Sequence, residues 1–159
     1  MSAVQTHSLV QEFKQQAESA RSADELMWAV VRRLQQEFPK FNWVGFYRIS
    51  RSDPQMLEVG PYVGAPTPHT RIPLSQGICG AAAASGETIV VDDVNADPRY
   101  LACSLATRSE MVAPIFAHGR VIGELDIDSH TPAAFGPADR RLVEDCAAVV
   151  GRYLEQHSS

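Results

Sequence analysis

Two stretches of this 159-residue chain carry side chains that could do chemistry. The first runs Tyr100-Leu101-Ala102-Cys103-Ser104-Leu105-Ala106-Thr107-Arg108-Ser109-Glu110. Its cysteine follows the turn signal Asp97-Pro98 and sits among small and polar residues. A structural thiol normally lies inside an apolar periodic run, buried as a small hydrophobe. Cys103 does not, and a reachable thiol is what a reactive cysteine needs. It is the candidate nucleophile, with an incidental exposed thiol as the plain alternative. Glu110 follows where the chain turns apolar and strand-like. The second stretch is Val121-Ile122-Gly123-Glu124-Leu125-Asp126-Ile127-Asp128. Strand alternation puts Glu124, Asp126 and Asp128 on one face and Leu125 and Ile127 on the other. A solvated strand face is the ordinary reading of such a pattern. Three acids in alternate positions repel one another, however, and aspartate is a poor strand former. A cationic ligand group such as an ammonium would offset the repulsion, as would a metal. No second ligand set with metal spacing accompanies the acids, so no metal is expected. Glu110, one hairpin away, can join the cluster.

The other thiols read differently. Cys146 falls on the apolar stripe of a helix and reads as core. Cys79 lies in the first turn of a short helix. There it is either a thiol whose ionisation the unpaired amides and the helix dipole favour, or a small residue packed among glycines and alanines. Trp43 and Tyr47 share one face of a strand. Such a pair is commonly core, but it can also wall in a small ligand, Tyr47 keeping a polar tip. No Gly-rich phosphate loop, zinc pattern or Ser-His-Asp order is present.

The elements that must position these residues follow from periodicity. Residues 8–20 repeat Leu9, Val10, Phe13, Ala17 and Ala20 at helical spacing. Ser22-Ala23-Asp24-Glu25 forms a capping box for a second helix with the stripe Leu26, Met27, Val30 and Leu34, ended by Pro39. Strands are expected over Phe41–Ile49, Met56–Val59 and Ile89–Val91. A long, proline-rich loop is expected over 61–73, and a short helix over Ala81–Ala84, stopped by Ser85-Gly86. Met111–Phe116 and Arg120–Ile127 form a hairpin across His118-Gly119. Gly136-Pro137 opens the last helix. Helices, then mostly antiparallel strands, then a closing helix give an α+β fold with helices packed on a sheet. The chain reads as one domain over 1–159: N-terminal helices over 1–38, sheet and pocket over 41–135, and the C-terminal helix over 137–156.

Composition excludes several classes. The chain is 45% hydrophobic and 21% charged, with a net charge of −5 and no Lys/Arg-rich run. A binder of nucleic-acid phosphates normally shows a basic stripe, so no nucleic acid is expected. No stretch has the length needed to span a bilayer, and no basic-then-apolar leader is visible. A cytoplasmic location is expected. Three cysteines would stay mostly reduced there, and any pairing would be transient and catalytic.

With these residues in view, the chain resembles a GAF domain, and more narrowly the free methionine-(R)-sulfoxide reductases, which are GAF-fold enzymes. The resemblance runs from about Phe41 to Phe135. It is carried by Asn42-Trp43-Val44-Gly45-Phe46-Tyr47, by Thr70-Arg71-Ile72-Pro73 with Gly77-Ile78-Cys79-Gly80, by Ala102-Cys103 with Ser109-Glu110, and by Gly123-Glu124-Leu125-Asp126-Ile127-Asp128-Ser129. It implies a central, mostly antiparallel sheet with the N- and C-terminal helices on one face. It implies that Cys103 attacks the sulfoxide sulfur, that Glu110, Asp126 and Asp128 hold the ammonium and the sulfoxide oxygen, and that Trp43 and Tyr47 enclose the methyl end. The sulfenic acid left on the cysteine would condense with a second thiol, and thioredoxin, an external reductant, would reduce the disulfide. No bound cofactor is implied, and a homodimer is. Two positions depart from the family's pattern. His69 stands where the main resolving cysteine usually precedes Thr-Arg-Ile-Pro, and Ser104 replaces the aspartate that usually follows the catalytic cysteine. The first departure leaves Cys79 as the internal resolving thiol. A small-ligand-binding GAF sensor module with impaired catalysis is the alternative function, and a dimeric scaffold with an inert pocket a third.

Overall fold

The structure, a computed structural model, describes residues 3–102 and 105–157; Cys103 and Ser104 lie outside the described residues. Two helices, α1 (Ala3–Ser19) and α2 (Ala23–Glu37), precede strands β1 (Trp43–Ile49), β2 (Met56–Val63) and β3 (Arg71–Pro73). Helix α3 (Gly77–Ser85), strand β4 (Ile89–Val91) and a 3-10 turn at Val94–Ala96 follow. The hairpin β5 (Ser109–Ala117) and β6 (Arg120–Ser129) leads to the closing helix α4 (Pro137–His157). All pairings are antiparallel, in the spatial order β3-β2-β1-β6-β5-β4. The fold is the expected α+β arrangement.

Alternation along the strands gives the sheet two unlike faces. Val44 and Phe46 of β1, Met111, Ala113 and Ile115 of β5, and Leu125 and Ile127 of β6 all join one core. Helices α1, α2 and α4 cover that face with Phe13, Leu26, Met27, Val30, Leu34, Leu142, Cys146 and Val150, so Cys146 is a core thiol. The opposite face carries Trp43, Tyr47, Leu57, Ile72 and Val112, with Ile78, Cys79, Ala82 and Ala83 of α3 packed over it. This second layer is smaller, and it contains the acids.

Several boundaries differ from expectation, each for a local reason. Helix α1 begins at Ala3 rather than residue 8, because its first turns are tied by polar contacts such as Gln5 Nε2 donating to Glu37 Oε1, which an apolar stripe cannot show. The capping serine behaves as read, Ser22 Oγ accepting from the Glu25 amide at 3.1 Å, but the Glu25 carboxylate reaches the Arg21 amide at 2.8 Å instead of that of Ser22. The expected loop over 61–73 is strand at both ends and loop over 64–70: β2 runs to Val63 and β3 starts at Arg71. Pro61 fits because the β1–β2 register shifts between Gly45 and Tyr47, and Pro61 lies on the β2 side of that irregularity. A proline without an N–H is tolerated at such a bulge. Helix α3 starts at Gly77 and is capped after Ser85 by Gly86, whose φ of 70° is the left-handed geometry glycine adopts freely.

Gly45 sits where the aromatic strand needs empty space. A Cβ there would collide with the Trp43 indole and with Tyr62 Cβ, 2.7 Å away. The Trp43 ring lies in that gap and stacks on Tyr62, with ring centroids 5.1 Å apart. Gly45→Ala is expected to destabilise the fold by about 1–3 kcal/mol, as overpacking generally does. A lower urea midpoint with unchanged slope checks it, and a parent-like midpoint would show that the indole can move aside.

Candidate active site

The inner face of the sheet is built in three cross-strand rows. Trp43 of β1 pairs with Asp128 of β6, and Asp128 with Glu110 of β5. Gly45 pairs with Asp126, and Asp126 with Val112. Tyr47 pairs with Glu124, and Glu124 with Pro114. Because neighbours across strands lie side by side, register alone gathers the expected acids and aromatics on one surface. Trp43 and Tyr47 stack with centroids 6.2 Å apart. Their polar tips are tied to the loop after β2: Trp43 Nε1 donates to the Ala65 carbonyl at 3.1 Å and the Tyr47 hydroxyl to the His69 carbonyl at 3.0 Å.

The acids are not a solvated strand face. Glu124 is 0% exposed, Asp126 2%, Asp128 4% and Glu110 5%. Cys79 is brought down onto them from the first turn of α3. Its Sγ lies 3.4 Å from Asp126 Oδ2 and 4.0 Å from Glu110 Oε2. One ligand atom each from Cys79, Glu110 and Asp126 falls within 4.8 Å of the others, a spacing that suits a small cationic group. Among the described residues, both oxygens of Glu124, Asp126 Oδ1 and Asp128 Oδ1 have no hydrogen-bond partner.

Burial governs the ionisation of this cluster. It pushes the carboxyls of Glu110, Glu124, Asp126 and Asp128 well above the usual carboxylate range, and repulsion among them adds to the effect. Glu110, Asp126 and Asp128 also hydrogen-bond one another, which requires that protons be shared among them. Of the two readings open for Cys79, the thiolate favoured by the α3 dipole is set aside and the packed thiol stands. Burial first, then the charge of Asp126 and the other acids, raises this thiol well above its ordinary value. A helix-end interaction of about 0.3–1 kcal/mol is outweighed by desolvation, which shifts fully buried groups by up to 3–5 pKa units of about 1.4 kcal/mol each.

The candidate nucleophile, Cys103, lies outside the described residues, but the chain that enters it is placed. Leu101 packs against the start of α3, its Cβ 3.3 Å from the position a Gly77 Cβ would take. The Ala102 carbonyl lies 2.7 Å from His69 Nε2, which donates to it. Arg99 and Arg108, the cations nearest Cys103 in sequence, have local partners. Arg99 pairs with Asp97 at 2.7 Å, and Arg108 donates to the Leu105 carbonyl at 3.1 Å. Sequence reasoning placed Glu124 on the acid face without making it a site residue, and it did not anticipate Tyr62 or the His69–Ala102 contact. Alternation signals which face a residue takes, but not how deep it lies.

The raised carboxyls fix a pH dependence. A carboxyl with a higher pKa folded than unfolded binds more protons in the folded state, so stability falls as pH rises from the ordinary carboxylate range through the raised values. The ligand-free protein is expected to melt higher near pH ~5 than near pH ~8, by at least about 3 °C if one pKa unit of coupling is released. Asp128→Asn should flatten the slope. Calorimetry across that range checks both, and a melting temperature that rises with pH would contradict them.

Comparison with known proteins gives the family of the chain. The GAF-domain family matches residues 22–154. Protein YtsP of Bacillus subtilis is 38% identical over 77% of this chain and 74% of its own length. The free methionine-R-sulfoxide reductase of Saccharomyces cerevisiae is 33% identical over 82% of this chain and 71% of its own. Among solved structures, the free methionine-R-sulfoxide reductase of Neisseria meningitidis in complex with its substrate superposes with a TM-score of 0.89. It is 31% identical over 97% of this chain and 92% of the other. Matched along most of its length by the family and by relatives that carry this enzyme name, the chain belongs to the GAF-domain free methionine-(R)-sulfoxide reductase family.

Proposed function

We propose that this chain reduces free L-methionine-(R)-sulfoxide to methionine. The observation that carries the reading is the buried acid cluster with orphaned oxygens beside a stacked Trp43–Tyr47 pair. Carboxyls gathered there have use for a ligand that brings an ammonium and a proton-accepting oxygen. A free amino acid supplies the ammonium, whereas a methionine within a peptide has a neutral amide in its place. Asp126, Asp128 and Glu110 take the ammonium and the sulfoxide oxygen, and Trp43 and Tyr47 flank the S-methyl group. No helix among the described residues is long and apolar enough to cross a membrane.

The chemistry follows from the pKa directions. The Cys103 sulfur attacks the sulfoxide sulfur and forms an S–S bond to it, and the oxygen takes two protons and leaves as water as its bond to that sulfur breaks. A carboxyl held neutral by burial and like-charged neighbours is a proton donor at neutral pH. A water then adds to the Cys103 sulfur and gives up a proton, the S–S bond breaks with its electron pair on the methionine sulfur, and methionine leaves with Cys103 as a sulfenic acid. The Cys79 thiol condenses with it to a disulfide, releasing water, and thioredoxin returns both thiols. In this reading the chain works as one domain, as a cytoplasmic homodimer without a bound cofactor.

The test is thioredoxin-coupled NADPH consumption with each epimer. The R epimer should be turned over and the S epimer not, and Cys103→Ser should lose activity. No R-dependent consumption, or a Cys103→Ser rate equal to the parent's, overturns the reading. Tight binding of the sulfoxide without turnover would instead favour a ligand-sensing module. Asp128→Asn should raise KM about tenfold or more with a smaller change in kcat, the effect of losing a charge-assisted hydrogen bond of ~1.5–3 kcal/mol. A kcat loss at unchanged KM would place Asp128 in the proton transfer rather than in ammonium binding.

A further inference from the structure

Sequence alternation offers the acids of β6 without a second set of metal ligands; the fold supplies one. Glu110 arrives from β5, opposite Asp128 in the register, and Cys79 arrives from the first turn of α3. Cys79 Sγ stands 3.4 Å from Asp126 Oδ2 and 4.0 Å from Glu110 Oε2, and the three ligand atoms lie within 4.8 Å of one another. A zinc ion holds sulfur at about 2.3 Å and carboxylate oxygen at about 2.0–2.2 Å, so tetrahedral angles set two such ligand atoms about 3.5 Å apart. The Cys79–Asp126 edge matches that separation, and the Cys79–Glu110 edge is slightly longer.

The cluster also has acceptor oxygens to spare. Asp126 is 2% exposed and Asp128 4%, yet Asp126 Oδ1 and Asp128 Oδ1 have no hydrogen-bond partner among the described residues. Asp126 meets the sulfur with its other oxygen, so its orphaned atom belongs to the same place. Asp128 follows on the same face of β6 and is the cross-strand neighbour of Glu110. A buried polar atom left unpaired needs an explanation, and an ion is one. An ammonium accounts for the oxygens but not for the thiol, because sulfur is a weak acceptor. One more alanine in the Ala81–Ala84 helix would cover the acids as well. Thiolate beside carboxylate is a ligand set for a thiophilic ion, whereas magnesium and calcium take oxygen.

We propose that Cys79, Glu110 and Asp126 form a binding site for a divalent cation of the zinc class, with Asp128 as the outer partner that orients the two carboxylates. Coordination displaces the Cys79 S–H proton and the protons shared among the acids to solvent, and no electron is transferred. The fourth corner of the tetrahedron is left to water. A dication offsets the desolvation and repulsion that otherwise keep these groups protonated, and a coordinating thiol is deprotonated outright. The ion and the ammonium of a free amino acid draw on the same acids, so each excludes the other. That exclusion rests on the reductase reading; the ion site does not. An ion here also occupies the thiol that closes the disulfide in that reading, which makes zinc an inhibitor competing with the sulfoxide.

The experiment uses the full chain, reduced and freed of metal, with Co2+ as a coloured stand-in for zinc. Cobalt bound to a thiolate shows a sulfur-to-metal charge-transfer band in the near ultraviolet that cobalt on carboxylates and water lacks. Equimolar Co2+ should produce the band. Zn2+ should displace it, and a large excess of Mg2+ should not. Cys79→Ser should lose the band and Cys103→Ser should keep it. Asp128→Asn should bind Co2+ about 10–100-fold more weakly, the usual effect of removing an outer partner, and parent-like affinity would remove Asp128 from the site. A crystal of the parent soaked in zinc should show anomalous scattering between Cys79 Sγ, Asp126 Oδ2 and Glu110 Oε2, a readout that needs no variant to fold. No band in the parent, a band that survives Cys79→Ser or vanishes in Cys103→Ser, or scattering elsewhere overturns the proposal. Saturating methionine-(R)-sulfoxide should suppress the band. A band indifferent to the sulfoxide, in a protein that turns it over, overturns the shared site. A Cys79-dependent band in a protein that never turns the sulfoxide over upholds the ion site and defeats the reductase reading alone.

Discussion

The constraint behind this structure is the burial of four carboxyls and a thiol on one face of one sheet. Ionised together they would repel one another in a medium that solvates charge poorly. The cluster answers by keeping protons and sharing them between Glu110, Asp126 and Asp128. A buried carboxyl left without a hydrogen-bond partner costs ~1–3 kcal/mol, and neither oxygen of Glu124 has one among the described residues. The inner face carries that cost beside a small apolar cluster of its own, and the larger core lies on the other side of the sheet.

Support comes from the outer face. The helices α1, α2 and α4 bury Phe13, Leu26, Met27, Leu34, Leu142 and Val150 against Phe46, Met111, Ile115, Leu125 and Ile127. The two faces alternate residue by residue along β1, β5 and β6, so each strand contributes to stability with one set of side chains and to chemistry with the next. Leu125 and Asp126 are chain neighbours with opposite tasks. The rigidity of the strand fixes the acids without any dedicated scaffold, and a substrate ammonium that relieves their repulsion would bind to a surface already in place.

Most of this was legible from alternation. The period of two in Glu124-Leu125-Asp126-Ile127-Asp128 separates an acid face from an apolar one, and it holds because β6 lies between β1 and β5, paired on both sides. The spacing of Trp43 and Tyr47 is legible for the same reason. What alternation cannot carry is the third dimension. It says nothing of Cys79 descending onto Asp126, so a thiol activated by the dipole of α3 and a packed small residue stood as equal readings where burial decides. It does not reveal that Glu124 lies deeper than Asp128. Pro61 read as a loop residue because a strand proline is exceptional, and the register shift that admits it belongs to the pairing of two strands rather than to either sequence alone. The reading of Cys103 as nucleophile rests on sequence and family, its side chain lying outside the described residues.

One contact gives the loop before Cys103 a connection with the opposite wall. His69 accepts the Tyr47 phenol at its carbonyl while its ring holds the carbonyl of Ala102. A single residue thus bridges the segment that would carry oxidation and an aromatic that would grip the ligand. Displacement of the 102 carbonyl would pull on the same residue that orients the phenol, so the chemical history of the sulfur would be felt as a loosened or tightened hold on the next molecule to arrive.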